Sequence, residues 1–315
     1  MVKRVLLAAP RGFCAGVERA IETVERALEL YGPPVYVRKQ IVHNVHVVRD
    51  LERRGAVFVE SEESVPEGAR LVLSAHGVAP SVHEHAAVRD LETIDATCPL
   101  VTKVHAETRR YAAEGYTVVL IGHEDHEEVV GTQGEAPEAV RIVGTVAEAE
   151  ALAVPNPGRI AYVTQTTLSV DDTAEIVEVL RRRFPTLRAP RREDICYATT
   201  NRQAAVKELL AEIDLLLVIG SENSSNSNRL VEVAQAAGVE SHLIDDETEI
   251  DERWLAGADS VGVTSGASAP ERLVQCVCDW FRDRGVTEIR SVGSIAEDVF
   301  FRLPAEVRRT ASSAA

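Results

Sequence analysis

CPLVTKVHAETRRYAAEGYTVVLIGHEDHEE, residues 98–128, reads as a cysteine, a helix, a strand and a polar cluster in succession. Cys98 stands before Pro99, and proline is favoured at the first helical position. A helix over roughly 101–114 leads into TVVLIG, the continuous apolar run of a parallel strand covered on both faces. That strand ends at His126 and Glu128, and downstream the strand IAYV ends in TQTTLS with Thr166. The order recurs on both sides. Cys14 opens a helix over 16–31, a strand near 35–37 leads to IVHN with His43, and LVLS ends at AHG with His76. Cys196 precedes a helix near 203–212, LLLVIG runs into SENSSNSN with Ser224, Ser225 and Asn226, and SVGVTSGAS closes with Ser268.

The steps from Cys14 to His43, Cys98 to His126 and Cys196 to Ser224 are 29, 28 and 28 residues. A recurrence of this length marks one supersecondary unit used three times. The expected fold is α/β: three similar domains in a pseudo-threefold arrangement, over 1–97, 98–194 and 195–284, with a C-terminal segment, 285–315, folding back. That segment holds one expected strand and the expected apolar anchors Val299, Phe300 and Phe301, and its tail ASSAA is expected to be disordered.

The first helix illustrates the layering. Val17, Ala20, Ile21, Val24, Ala27 and Leu28 recur at helical spacing, with Glu18, Glu22, Glu25 and Arg26 opposite, as in a helix covering a sheet. In such sheets ligands bind beyond the carboxyl ends of the strands, and the polar clusters all fall there. Any one cluster reads equally as a turn or a helix cap. Several, combining histidine, carboxylate and small hydroxyl groups at equivalent strand ends, point to a shared site.

With 34 basic and 50 acidic side chains the net charge is −16, against nucleic acid or an anionic membrane as partner. The start, MVKRVLLAAPRG, lacks the pattern of a signal peptide, and no apolar run approaches the ~20 residues of a membrane span. A cytoplasmic location is expected, where five cysteines read as thiols or metal ligands rather than a disulfide framework. The absence of a CxxC pair disfavours a zinc knuckle. Cys98 and Cys14 stand at helix starts, where the helix dipole favours thiolate, and three cysteines, one from each unit, suit an iron–sulfur cluster with one iron lacking a protein ligand; buried structural cysteines are the plainer alternative. Cys276 and Cys278, out of phase in ERLVQCVCDWF, read as core or helix-surface residues.

PRGFCAGVERA, VHN, AHGV, DATCPLV, GHEDHEEVVGT, TQTTLSVDDT, DICYATTNRQ, GSENSSNSNR and GASAP, in this order and over nearly the whole chain, resemble the LytB (IspH) family of 4-hydroxy-3-methylbut-2-enyl diphosphate reductases. The resemblance implies a trefoil of three α/β domains around a 4Fe-4S cluster held by Cys14, Cys98 and Cys196. It implies reductive removal of the C4 hydroxyl of the allylic diphosphate, giving isopentenyl and dimethylallyl diphosphate, the last step of the non-mevalonate isoprenoid pathway. It places the diphosphate on His43, His76, His126, Ser224, Ser225, Asn226 and Ser268, with Glu128 and Thr166 beside the reacting hydroxyl. Ferredoxin or flavodoxin is the implied electron donor.

The chemistry of these residues agrees. A diphosphate needs many donors, which histidines, hydroxyls, an amide and strand-end N–H groups supply without a lysine or P-loop, and histidine allows partial positive charge near neutral pH. Loss of hydroxide from carbon needs a proton or a Lewis acid at the leaving oxygen, and a pocketed Glu128 suits the first through Thr166. Three positions depart from the family pattern: Ala9 stands where asparagine is common, Glu127 where proline is frequent and Val130 where glutamate is frequent. Asp125, Glu127 and His123 read as solvated loop residues. Two alternatives are another three-cysteine iron–sulfur enzyme, such as quinolinate synthase, whose motifs do not match TQTTLS or SENSSNSN, and a non-catalytic iron–sulfur sensor, which needs neither Glu128 nor the His and Ser set.

Overall fold

The computed structural model describes residues 2–308; the expected disorder of ASSAA lies outside them. These residues hold twelve strands: β1 (Arg4–Ala8), β2 (Val35–Arg38), β3 (Ala56–Val59), β4 (Arg70–Leu73), β5 (Glu92–Asp95), β6 (Thr117–Ile121), β7 (Val140–Val143), β8 (Ile160–Thr164), β9 (Leu215–Ile219), β10 (Glu240–Ile244), β11 (Ser260–Ser265) and β12 (Glu288–Val292). Alternating with them are α1 (Ala15–Tyr31), α2 (Val45–Arg53), α3 (Pro80–Val88), α4 (Pro99–Ala113), α5 (Glu127–Gly134), α6 (Val146–Ala151), α7 (Val170–Arg183), α8 (Tyr197–Leu209), α9 (Ser225–Ala236) and α10 (Glu271–Asp283).

The strands form three sheets in the orders β3-β2-β4-β5, β7-β6-β8 and β10-β9-β11-β1-β12. Every ladder is parallel, so the fold is α/β, as expected from strands that alternate with helices. The recurrence read from the sequence is visible as one three-strand order, β3-β2-β4, β7-β6-β8 and β10-β9-β11, in which the first strand of each set is central.

Each set is extended at the same edge by the segment that leads to a cysteine: β5 beside β4 before Cys98, β1 beside β11 before Cys14, and an isolated parallel bridge from Ala161 in β8 to Arg188 before Cys196. This differs from the expected first domain. Residues 4–8 do not join the sheet of 35–95; β1 pairs with β11 and β12, because RVLLA is an apolar strand buried on both sides and needs flanking partners.

The chain divides into two compact units. One comprises residues 2–17, 43–47 and 197–300, with the five-stranded sheet; the other comprises 18–42, 48–196 and 301–308, with the other two sheets. In the first unit, Val5, Leu7, Leu217 and Val263 face α10 with Leu273, Val277 and the buried Cys278, while Leu6 and Val218 face α8 and α9 with Val206 and Leu230. In the second, Val119, Ile121 and Tyr162 pack on α7 through Ile176 and Leu180, and Val118 and Leu120 pack with Val104 and Tyr111 of α4.

The last segment supplies β12, but Val299 and Phe300 are not anchors: Phe300 is 80% exposed. Polar bonds hold the segment instead. In the first unit Glu297 pairs with the buried Arg202; in the second, Arg302 O accepts from Arg19, Glu306 O accepts from Tyr31, and Val307 is buried.

Candidate active site

Cys14, Cys98 and Cys196 each stand immediately before a helix, α1, α4 and α8 respectively. None is in a disulfide. Each cysteine N–H donates to a carbonyl at a strand end: Cys14 to Ala267 O (3.2 Å), Cys98 to Ala75 O (3.0 Å) and Cys196 to Thr166 O (3.0 Å). The acceptors belong to GAS, AHG and TQT, the motifs that carry Ser268, His76 and Thr166. The sequence recurrence thus becomes a repeated bond between a cysteine and a strand-end motif.

The donor set suits an iron–sulfur group: three thiols, each on the residue before a helix, where the positive end of the helix favours thiolate. Burial pushes the Cys14 thiol up, opposed by the Val17 and Gly16 N–H groups and the Arg202 charge, which favour the thiolate. Cys278 lies in the core beneath α10, and Cys276 is half-buried on the same helix.

In the first unit, His43, Ser224, Asn226 and Ser268 come together. Ser224 caps α9, its Oγ accepting from the Ser227 N–H, and lies 3.4 Å from Ser268 Oγ. Ser268 Oγ donates to His43 O (2.9 Å), and Asn223 Nδ2 lies 3.2 Å from His43 Nδ1. Asn226 spans the strand end, its Oδ1 accepting from Ala267 N–H (2.8 Å) and its Nδ2 donating to Thr199 (3.2 Å). Ser225 begins α9. Asn223 was not singled out from the sequence: SENSSNSN marks the cluster, but nothing in it distinguishes which amide turns toward His43.

In the second unit, His76, His126, Glu128 and Thr166 form one set. His126 caps α5, its Nδ1 accepting from Glu128 N–H at 3.1 Å, and its ring centroid lies 5.9 Å from that of His76. The approach of α5 to AHG depends on glycine. Gly77 has φ +78°, and a Cβ at Gly131 would stand 3.2 Å from Gly77 O.

Burial, with His76 and His123 nearby, lowers the His126 pKa to about 3 although Glu127 opposes it. His126 is therefore neutral near neutral pH, contrary to the expected partial charge, and with Nδ1 accepting it presents an Nε2–H donor. Gln165 joins the polar loop to TQT, accepting from His123 N–H and donating to Thr167.

Glu128 is fully buried. Its Oε1 accepts from Thr166 N–H (2.6 Å), and its Oε2 lies 2.9 Å from Thr166 Oγ1. Burial raises its pKa despite these two Thr166 bonds. Glu127 is not the solvated loop residue expected. It is the first residue of α5, and its Oε2 lies 3.3 Å from His76 Nδ1. Burial alone would raise Glu127, but the His76 bond and the charges of His76 and Lys39 hold it below the usual carboxylate range. Asp125 is exposed as expected, and His123 is half-buried.

The family model for the LytB protein matches residues 5–282. The chain belongs to the LytB family. It is 62% identical over 308 residues to the 4-hydroxy-3-methylbut-2-enyl diphosphate reductase of Acidothermus cellulolyticus, covering 98% of this chain and 91% of the relative. Among solved structures it matches the E-1-hydroxy-2-methyl-but-2-enyl-4-diphosphate reductase of Plasmodium falciparum with a TM-score of 0.94 and 41% identity, covering 98% of this chain and 97% of the other. A second match is (E)-4-hydroxy-3-methyl-but-2-enyl diphosphate reductase, the terminal enzyme of the non-mevalonate pathway. Its TM-score is 0.62 at 31% identity, over 90% of this chain and 100% of the other. The LytB assignment agrees with the nine motifs, and their strand-end positions follow the α/β rule for ligand sites.

Proposed function

We infer that this LytB chain is the reductase of (E)-4-hydroxy-3-methylbut-2-enyl diphosphate, removing the C4 hydroxyl to give isopentenyl and dimethylallyl diphosphate. It is an enzyme of the non-mevalonate pathway and an iron–sulfur oxidoreductase. Cys14, Cys98 and Cys196 would hold a 4Fe-4S cluster with one iron lacking a protein ligand. When bound, that cluster would supply single electrons and a Lewis acid for the leaving oxygen.

The observation that carries the reading is a continuous chain of bonds in the second unit, from Cys196 N–H to Thr166 O and from Thr166 N–H and Oγ to the Glu128 carboxyl. It joins a proposed ligand, a hydroxyl and a buried acid through one threonine. With Glu128 ionised, Thr166 Oγ–H donates to Oε2. With Glu128 protonated, Oε2–H donates to Thr166 Oγ, whose own hydrogen then turns to the substrate hydroxyl. Burial favours the protonated form, so the acid is loaded before the C–O bond breaks. Glu128 and Thr166 thus deliver the proton that turns hydroxide into water.

His43, His76, His126, Ser224, Ser225, Asn226 and Ser268 bind the diphosphate, with His126 contributing its Nε2–H while neutral. A redox partner must supply two electrons, and a small ferredoxin or flavodoxin fits a cluster that accepts them singly. Among the described residues no helix is long and apolar enough to cross a membrane, and we place the reaction in the cytoplasm.

Iron and sulfide analysis with EPR on anaerobically purified protein tests the cysteine assignment. About four irons per chain and a spectrum perturbed by the allylic diphosphate are expected. Zinc, or no metal after anaerobic reconstitution, would overturn it.

A further inference from the structure

Each cysteine is reached through a short segment whose carbonyls turn to a cation. Arg19 of α1 donates from Nη1 to Ala96 O (2.9 Å) and Thr97 O (3.0 Å), the two residues before Cys98. Lys103 of α4 donates to Arg192 O, to Glu193 O (3.2 Å) and to Asp194 Oδ1 (2.6 Å), on the approach to Cys196. Arg202 of α8 donates from Nη2 to Gly12 O (2.7 Å), with Phe13 O at 3.5 Å, just before Cys14. The order is cyclic along the chain. The helix that follows one cysteine carries the cation for the next: Arg19 after Cys14, Lys103 after Cys98, and Arg202 after Cys196, the last returning to Cys14.

The Arg202 site is the most closed of the three. Its guanidinium is fully buried, where a charge persists only if paired. Nη1 donates to Glu297 Oε1 and to Ala198 O, both at 3.0 Å, and Asn201 Nδ2 donates to the same Glu297 oxygen at 3.1 Å. The loop that Arg202 holds has neutral bonds as well. Gly12 N–H donates to Ser265 Oγ (2.9 Å), Cys14 N–H to Ala267 O (3.2 Å) and Ala15 N–H to Tyr197 Oη (3.1 Å).

A neutral donor could close the bond to Gly12 O without the cost of burying two charges. Charge is therefore the property to explain. Two opposite charges act on the Cys14 thiol: Arg202 favours the thiolate, and Glu297, the weaker of the two, opposes it. An iron–sulfur group held by thiolates gains a further negative charge on reduction, and its potential follows the charge around it.

We propose that Arg202 is a positioning residue for the iron–sulfur group: it fixes the approach to Cys14, and its charge, offset in part by Glu297, favours the reduced form of the group that Cys14 helps to hold. Arg19 and Lys103 fix the approaches to Cys98 and Cys196 in the equivalent way. Both roles of Arg202 rest on the reading of the three cysteines as cluster ligands. The electron comes from a one-electron reductant, and no bond or proton changes at Arg202 or Glu297, so the effect is of charge on charge.

The test is a redox titration of the anaerobic, iron-loaded protein followed by EPR, without substrate and with iron content measured in parallel. Arg202→Gln is expected to make the one-electron reduction about tenfold less favourable, a fall of about 59 mV in midpoint potential. Glu297→Gln leaves Arg202 able to bond Gly12 O and is expected to raise the potential, by less than Arg202→Gln lowers it. The loss of a purely structural bond would not move the two variants in opposite directions. Should Arg202→Gln fail to load iron, Glu297→Gln decides: a raised potential supports the proposal, and an unchanged or lowered one at full iron content overturns it. A fully loaded Arg202→Gln at the wild-type potential would overturn it equally. Wild type that holds no iron after anaerobic reconstitution would overturn the reading of the cysteines, and the proposal with it.

Discussion

The polar sets of the two units are built from different chemistry. Around His43, Ser224, Asn226 and Ser268 the bonds run among hydroxyl, amide and main-chain groups, and α9 begins in the middle of them. Around His76 and Thr166 the contacts run to two carboxylates on consecutive residues, one pushed up by burial and one held down by a histidine, while His126 accepts from a main-chain N–H between them. Neutral donors hold an anion without changing protonation. Paired titratable groups whose environments push them apart divide acid and base roles. On the proposed reading the first set supplies donors to the diphosphate, and the second adds to its histidine donors a path for a proton.

The largest expected effect breaks the second set. Glu128→Gln keeps the shape but has no proton to give, and kcat should fall by about 10²–10⁴-fold while iron content stays at the wild-type level. Full turnover with an intact cluster would remove Glu128 from the proton path. Ser268→Ala sharpens the contrast from the other side. It removes the bond to His43 O, the contact with Ser224 Oγ and a proposed diphosphate donor; with about 0.5–1.5 kcal/mol for each bond, KM should rise by at least about 2–12-fold with kcat within about twofold. A fall in kcat as deep as that of Glu128→Gln would end the division of labour.

The smallest effect concerns stability. The unfolded His126 takes up a proton near 6.5, and the folded one does not until about 3. Between these values the unfolded chain binds more protons, so stability falls as pH drops through that window. His126→Asn keeps a side chain able to cap α5 but does not titrate. In denaturant titrations, wild type should lose up to about 2 kcal/mol relative to the variant between pH 7 and pH 5. Parallel curves would show that His126 is not held neutral.

The central strands and the places of Cys14 and Cys98 were legible because each carries a local signal, a continuous apolar run or a thiol just before a helix; after Cys196 the helix was expected near 203 but begins at Tyr197. β3, β5 and β7 were not legible. Each is four residues long and partly exposed, so no apolar run marks it. The place of β1 was hidden for another reason: its partners, β11 and β12, lie at the far end of the chain, and parallel pairing leaves no turn to announce it.

In the site, residue types were readable and their partners were not. Glu128 and Thr166 were named from their motifs, and the bonds between them join the first turn of α5 to the segment after β8. Glu127 was misplaced because its burial depends on where α5 begins and on how closely Gly131 lets that helix approach AHG. Phe300 was misread because an apolar residue suggests an anchor, yet arginine and backbone carbonyls hold that segment.

The most direct test of the account is anaerobic turnover. Iron-loaded protein is mixed with (E)-4-hydroxy-3-methylbut-2-enyl diphosphate and a chemical one-electron reductant, and the diphosphate products are measured by mass spectrometry. The account predicts loss of the substrate and appearance of both isopentenyl and dimethylallyl diphosphate, with wild type far ahead of Glu128→Gln. Substrate left intact by a protein with a full complement of iron would contradict it.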